Sequence, residues 1–331
     1  MTKERDLCIG KAKRTWDLLS PRQMIFAFMS LFSLALILRN SDVAIEYMSA
    51  GLRLCAVTVI PSLFPFMVLS DLVVSSGAAT LLGRLLGRPM RFLFGVSGEG
   101  GCAVILGALC GFPIGAKTAV AVYDSGRISK WELERLLTFS NIPSSAFIIS
   151  AVGVSLFGSR AFGYTLYAAT LISAAIVGIA QNIFSRKKES PRAEERLPRQ
   201  PSSRGGGLCV GDFTGAVTSS AMGIIKICAF VVFFSAFLGT LSSALDAVTL
   251  PPQLSALVFG LFELTGGMAE AAALPYEHGT LIAAFISGWS GFSVHFQIMS
   301  ICSDRGISFK PYFAAKLAQG VVAAALVFLF M

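Results

Sequence analysis

Long stretches of this chain carry no charged side chain at all. Residues 136–159 and 161–185 contain no Asp, Glu, Lys or Arg, and either stretch, wound as a helix, would cross a hydrocarbon core roughly 30 Å thick. Residues 23–38, 54–70, 100–116, 227–245, 278–303 and 317–331 are also uncharged. Water-soluble domains do not string so many such runs together. A helix is the element that satisfies its own backbone inside lipid, so the sequence predicts an all-α polytopic membrane protein. Composition agrees: 54% of the 331 residues are hydrophobic and 14% are charged, where a soluble domain carries about 25% charged residues.

The net charge of +8 is concentrated. Lys3, Arg5, Lys11, Lys13, Arg14 and Arg22 precede the first apolar run, and Arg186, Lys187, Lys188, Arg192, Arg196, Arg199 and Arg204 fill one central stretch. Basic residues beside membrane spans hold their loops in the cytoplasm, so the charge reads as an orientation signal rather than a nucleic-acid surface. The seven cysteines are scattered without a CxxC pair and read as small apolar side chains. Residues 1–22 form a cytoplasmic N-terminal segment, and the run after it lacks a small-residue cleavage site, which favours a retained span.

The stretch 185–207, basic and rich in Pro, Ser and Gly, reads as a cytoplasmic linker between a first membrane half, 23–184, and a second, 208–331. The halves share short matches in the same order: Arg53-Leu-Cys-Ala56 with Lys226-Ile-Cys-Ala229, Gly111-Phe112 with Gly288-Trp289, and Asp124–Ser129 with Asp304–Ser308. Topology adds to this. With a cytoplasmic N-terminus, the loop of Arg84, Arg88 and Arg91 falls inside. A full crossing by 98–123 would then leave the basic linker outside, against the positive-inside rule. A re-entrant hairpin at 98–123, broken at Gly111-Phe-Pro-Ile-Gly115, restores it, since such a break is tolerated at depth against protein or a water-filled cavity. The second half then begins with the opposite orientation. The expected fold is an inverted repeat with two re-entrant broken-helix hairpins, the second at 279–301 and broken at Ser287-Gly-Trp-Ser-Gly291.

Broken helices point unpaired N–H groups and a positive dipole end at the break, which suits an anion. Candidate binding residues are therefore Gly111, Phe112, Pro113 and Gly115 at the first break, and Gly288, Trp289, Ser290 and Gly291 at the second. Lys117, two residues beyond the first break, either faces a cavity or partner or snorkels to the surface. Glu263 and Thr265, in Phe262-Glu-Leu-Thr-Gly266, sit in another apolar stretch, and Glu263 could neutralise Lys117, bind a cation or carry a proton. Asn141 and Ser144, around Pro143, either line the cavity or bond their own backbone. His295 faces the pathway or is a buried structural histidine. No P-loop, HExxH or dinucleotide GxGxxG is present, and Gly95–Glu99 and Gly288–Phe292 each miss the nucleophile elbow at the last position. The expectation is a non-enzyme with no catalytic residue, metal or cofactor, its coupling ion unspecified. Its partners are a small anionic substrate and the lipid bilayer, not nucleic acid, and self-association into a homo-oligomer stays open.

Cys110-Gly-Phe-Pro-Ile-Gly-Ala-Lys117, Ser140-Asn-Ile-Pro-Ser144 and Phe262-Glu-Leu-Thr-Gly266 resemble the YlbJ-type sporulation integral membrane proteins. These carry the nucleoside-recognition, or gate, domain shared with spore-maturation proteins and nucleoside transporters. The likeness covers roughly residues 45–331, although the second half lacks prolines matching Pro61 and Pro65. It implies transport of dipicolinate from the mother cell to the forespore and a multi-pass location in the outer forespore membrane of an endospore-forming bacterium. An ion-coupled carrier of nucleosides or other small metabolites, and a non-transporting scaffold for spore assembly, are the alternative readings.

Overall fold

The computed structural model describes residues 21–76, 78–186, 210–245 and 251–330. The basic N-terminal segment and the basic linker lie, apart from the helix ends they adjoin, outside the described residues. Those described form helices and loops, with no strand among them. Helix α1 is Pro21–Arg39. Helix α2, Ser41–Leu54, continues through a π-helical turn into α3, Ile60–Ser75. Next come α4 (Ala78–Pro89, with a π-helical turn at Met90–Phe94), α5 (Gly101–Cys110), α6 (Ile114–Asp124), α7 (Lys130–Phe139), the π-helical α8 (Phe147–Leu156) and α9 (Arg160–Arg186). The second half comprises α10 (Val210–Leu245), α11 (Pro252–Phe262), α12 (Leu264–Ala272), α13 (Tyr276–Trp289), α14 (Phe292–Ile301) and α15 (Lys310–Phe330).

Among the described residues, four segments are long and apolar enough to cross a membrane: Arg160–Phe184, Val210–Ala244, Tyr276–Ile301 and Lys310–Phe330. Two further pairs bring the number to six if each counts as one bent span. These are Gln23–Arg39 with Ser41–Val57, bent by 100°, and Gly83–Phe94 with Gly98–Cys110, bent by 96°. Large apolar side chains such as Phe26, Ile183, Met222 and Phe328 stand exposed on these helices, as lipid-facing surfaces require. The protein is an all-α polytopic membrane protein.

Two helical pairs fold back on themselves. In the first, α5 and α6 reverse at Gly111–Pro113, and a Cβ on Gly107 would stand 3.2 Å from the Gly115 Cα, although a straight helix would separate these residues by about 12 Å. Gly111 permits the reversal, because its φ of 81° and ψ of −175° lie in a region open essentially to glycine alone. In the second, α11 and α12 reverse at Glu263, where the backbone is extended (φ −141°, ψ 128°), and a Cβ on Gly267 would overlap the Gly260 Cα.

This second fold-back corrects the sequence reading, which put it at 279–301. Residues Tyr276–Ile301 run instead as one span of 26 residues, interrupted but not reversed at Ser290–Gly291. One left-handed residue, Ser290 at φ 79°, and one glycine suffice to break the hydrogen-bond ladder, and the helix then resumes in the same general direction. Its two parts pack on different neighbours, α13 on α15 and α14 on α10 and α6.

Polar contacts define the two ends of the molecule. At one end the Arg305 Nη2 lies 2.6 Å from the Asp124 Oδ2, the Ser308 N–H donates to Glu134 Oε1 at 2.9 Å, and the Asn182 Nδ2 donates to the carbonyls of Phe92 and Leu93 at 3.0 and 3.1 Å. These contacts gather Arg91, Arg127, Lys130 and Lys310 at that end. At the other, the rings of Phe157 and Phe162 meet Tyr276 at centroid distances of 6.4 and 6.0 Å. The α5–α6 pair opens at the basic end and the α11–α12 pair at the opposite one. The Asp124–Arg305 ion pair also corrects one sequence match. Positions related by an inverted repeat belong at opposite ends, so Asp124–Ser129 and Asp304–Ser308 are not repeat equivalents.

Candidate functional site

Each fold-back is seated against an interrupted helix. Helix α7 is launched by a capping box, in which the Ser129 hydroxyl accepts from the Glu132 N–H and the Glu132 carboxylate accepts from the Ser129 N–H. The helix stops at Ser140, because Pro143 lacks an N–H and disfavours helical geometry at Ile142. The freed Ile142 carbonyl accepts from the Phe112 N–H at 2.8 Å. Gly115 lies against the Ser140 carbonyl and Asn141 Oδ1, and Gly111 against the Ser144 backbone. Larger side chains at these glycines would push the tip off the unwound segment.

The second junction has the same form. The extended backbone at Glu263 lies beside Gly291, where a Cβ would come within 3.2 Å of the Leu264 nitrogen and the Phe262 carbonyl. The Trp289 Nε1 donates to the Leu261 carbonyl at 3.0 Å. Glu263 caps α12, its Oε2 accepting from the Gly266 N–H at 2.6 Å, and Thr265 sits in the first turn of that helix.

Helix α15 joins the two junctions. Its Lys316 Nζ donates to the Asn141 carbonyl at 2.9 Å and to Gln319 Oε1 at 2.7 Å. The Gln319–Gly320 backbone lies against Gly288, where a Cβ would meet it at 2.6 Å. One turn earlier, the Tyr312 hydroxyl lies 2.8 Å from His295 Nδ1, and the His295 ring stands edge-on to Trp289 at 4.4 Å. Asn141, His295, Lys316 and Gln319 are each 0% exposed. Among the described residues, Ser140 Oγ, Asn141 Oδ1, His295 Nε2 and Gln319 Nε2 have no hydrogen-bond partner, and no carboxylate pairs with Lys316.

The sequence-predicted residues thus fall into three places. Gly111, Phe112, Pro113, Gly115, Asn141 and Ser144 form the first junction, with Phe112 packed between the two largest apolar clusters. Glu263, Thr265, Gly288, Trp289, Ser290 and Gly291 form the second. Lys117 belongs to neither. Its Nζ lies 2.8 Å from Asp71 Oδ2 and donates to Ser220 Oγ at 2.9 Å, which ties α6 to α3 and α10, while Ser70 and Thr118 share a hydrogen bond of 2.6 Å alongside. Asp71, not Glu263, is the partner of Lys117. Sequence reasoning missed Lys316, Gln319 and Tyr312, since a lysine just before an uncharged run looks like a snorkelling residue. The spacing of Tyr312, Lys316 and Gln319, four and then three residues apart on one helix face, was the available signal.

Over 337 aligned residues the chain is 33% identical to the sporulation integral membrane protein YlbJ of Bacillus subtilis (strain 168), covering 92% of this chain and 82% of that relative. The chain belongs to the YlbJ family. No family model matches it, and no solved structure matches it. Both junctions and the connecting helix α15 therefore belong to a helical membrane protein of the YlbJ family.

Proposed function

We propose that this YlbJ-family protein carries a small anionic metabolite across a membrane during endospore formation, with dipicolinate as the substrate and the outer forespore membrane as its location. The observation that carries this reading is the pair of fold-backs opening at opposite ends, each seated on an interrupted helix, with a buried and incompletely paired polar cluster between them. Irregular backbone at membrane depth belongs beside a cavity or pathway, and opposed broken helices are a recurring way to build a carrier site. The element order also favours an inverted repeat. From each fold-back onward the chain runs fold-back, interrupted helix, long helix, as α5–α9 and again as α11–α15. In this reading the protein needs no catalytic group or cofactor, and its partners are the bilayer and the anion.

The test is the dipicolinate content of spores from a deletion strain, together with dipicolinate uptake by vesicles holding the purified chain. Spores depleted of dipicolinate and vesicles that accumulate it are expected. Normal spore dipicolinate removes the substrate. Depleted spores with inert vesicles point to a scaffold instead.

A further inference from the structure

We infer that Lys316, with Gln319 and His295, forms the subsite that receives a carboxylate of the transported anion. This rests on the transport reading and adds the residues and the ligand chemistry. Lys117 was the obvious cation for such a role, but Asp71 already neutralises it. Lys316 differs. It is 0% exposed, lies deep among helices, and its two bonds go to uncharged oxygens, the Asn141 carbonyl and Gln319 Oε1.

Burying an ammonium without a counter-ion is unfavourable by several kcal/mol, and in membrane proteins such groups mark substrate pathways. An ammonium has three N–H donors, and two are used here. The Gln319 amide is held by its oxygen, leaving Nε2 as an unpaired donor beside the same ammonium. His295 is anchored through Nδ1 to Tyr312, leaving Nε2 unpaired as well. A positive charge beside the free Gln319 amide donor, and beside a His295 Nε2 that donates when Nδ1 accepts from the Tyr312 hydroxyl, matches a group with one negative charge shared over two acceptor oxygens, which describes a carboxylate. Ser140 Oγ and Asn141 Oδ1 are unpaired acceptors at the same junction, but a cation entering there would face the charge of the Lys316 ammonium. The Asn141 carbonyl bonds Lys316 while Gly115 of the first fold-back packs on the Asn141 side chain, and Gly288 packs on Gln319. The ammonium therefore sits where both junctions can sense its occupant.

The experiment uses the full chain in lipid nanodiscs, with binding of dipicolinate compared with that of its neutral diamide, pyridine-2,6-dicarboxamide. The wild type is expected to prefer dipicolinate. Lys316→Met should weaken dipicolinate binding about tenfold or more, the loss of one charge-assisted bond, with little change for the diamide, and Lys316→Arg should recover part of it. Gln319→Glu keeps the shape and gives Lys316 an internal counter-ion, so this variant should fold well and lose dipicolinate binding. Dipicolinate binding at the wild-type level by either Lys316→Met or Gln319→Glu overturns the subsite. A wild-type protein that binds neither probe removes the transport reading itself.

Discussion

The ammonium of Lys117 lies 2.8 Å from the carboxylate of Asp71, forty-six positions earlier in the chain, and both side chains are nearly buried, at 12% and 14% exposure. This pair fastens the first fold-back to α3, and the Ser220 hydroxyl, accepting from Lys117, extends the link to α10. Removing one member of a buried pair leaves an uncompensated charge at a cost of about 3–5 kcal/mol. Asp71→Asn and Lys117→Met are each expected to lower the thermal midpoint of the detergent-purified protein sharply. The double variant should recover part of the loss, and additive losses would show that the two groups do not interact. Arg305→Ala at the basic end gives the contrast. Its bidentate pair with Asp124 is 26% and 44% exposed, so solvent screens it and its loss should lower the midpoint less than loss of either member of the Lys117 pair.

Glu263 has a local duty. Its carboxylate caps α12 through the Gly266 N–H, and losing a cap costs about 0.5–2 kcal/mol. Glu263→Gln keeps an acceptor oxygen and should leave folded yield near wild type, whereas Glu263→Ala should lower the unfolding midpoint modestly. A collapse of folded protein with Glu263→Gln would show that the charge, not the cap, matters.

Two glycines separate backbone strain from crowding. Gly158 has φ 64° and open space where a Cβ would stand, so Gly158→Ala should cost only the left-handed penalty of about 1–2 kcal/mol. Gly111 also has positive φ, but its Cβ would overlap the Ser144 backbone. Gly111→Ala should therefore displace the tip and cost clearly more, read as a lower unfolding midpoint and lost uptake. Equal midpoints for the two variants would mean that the tip is not seated on the unwound segment.

Orientation follows from the charged ends. Ser303 is exposed at the basic end and Glu277 at the opposite one. In a cysteine-free background, Ser303→Cys should be shielded from an impermeant thiol reagent in intact cells and Glu277→Cys should react. The reverse pattern would invert the topology.

Much of the site was legible because helix breakers act locally. Gly111, Pro113, Pro143 and Gly291 interrupt helices wherever the rest of the chain lies, so both unwound segments and the first fold-back could be placed from sequence. The second fold-back could not. Glycine and serine at 287–291 look like a reversal, yet the chain reverses at Glu263, just before the helix-breaking Gly266-Gly267 end of its own apolar stretch, and extends there because Gly260 and Gly267 let α11 and α12 touch. That choice is made by packing, which compares contacts between distant segments.

Uncharged runs, their lengths and the clustering of Lys and Arg determined by themselves that this chain lives in a membrane as helices, because lipid leaves a backbone few other solutions and the positive-inside bias is a property of loops. Which charges pair was decided only in the tertiary structure. Lys117 and Lys316 each adjoin a long apolar run in sequence, but only the folded chain brings Asp71 to one and leaves the other with uncharged oxygens. The physical reason is that the free energy of a buried charge is set by the few groups within several ångströms, and those groups come from helices far apart along the chain.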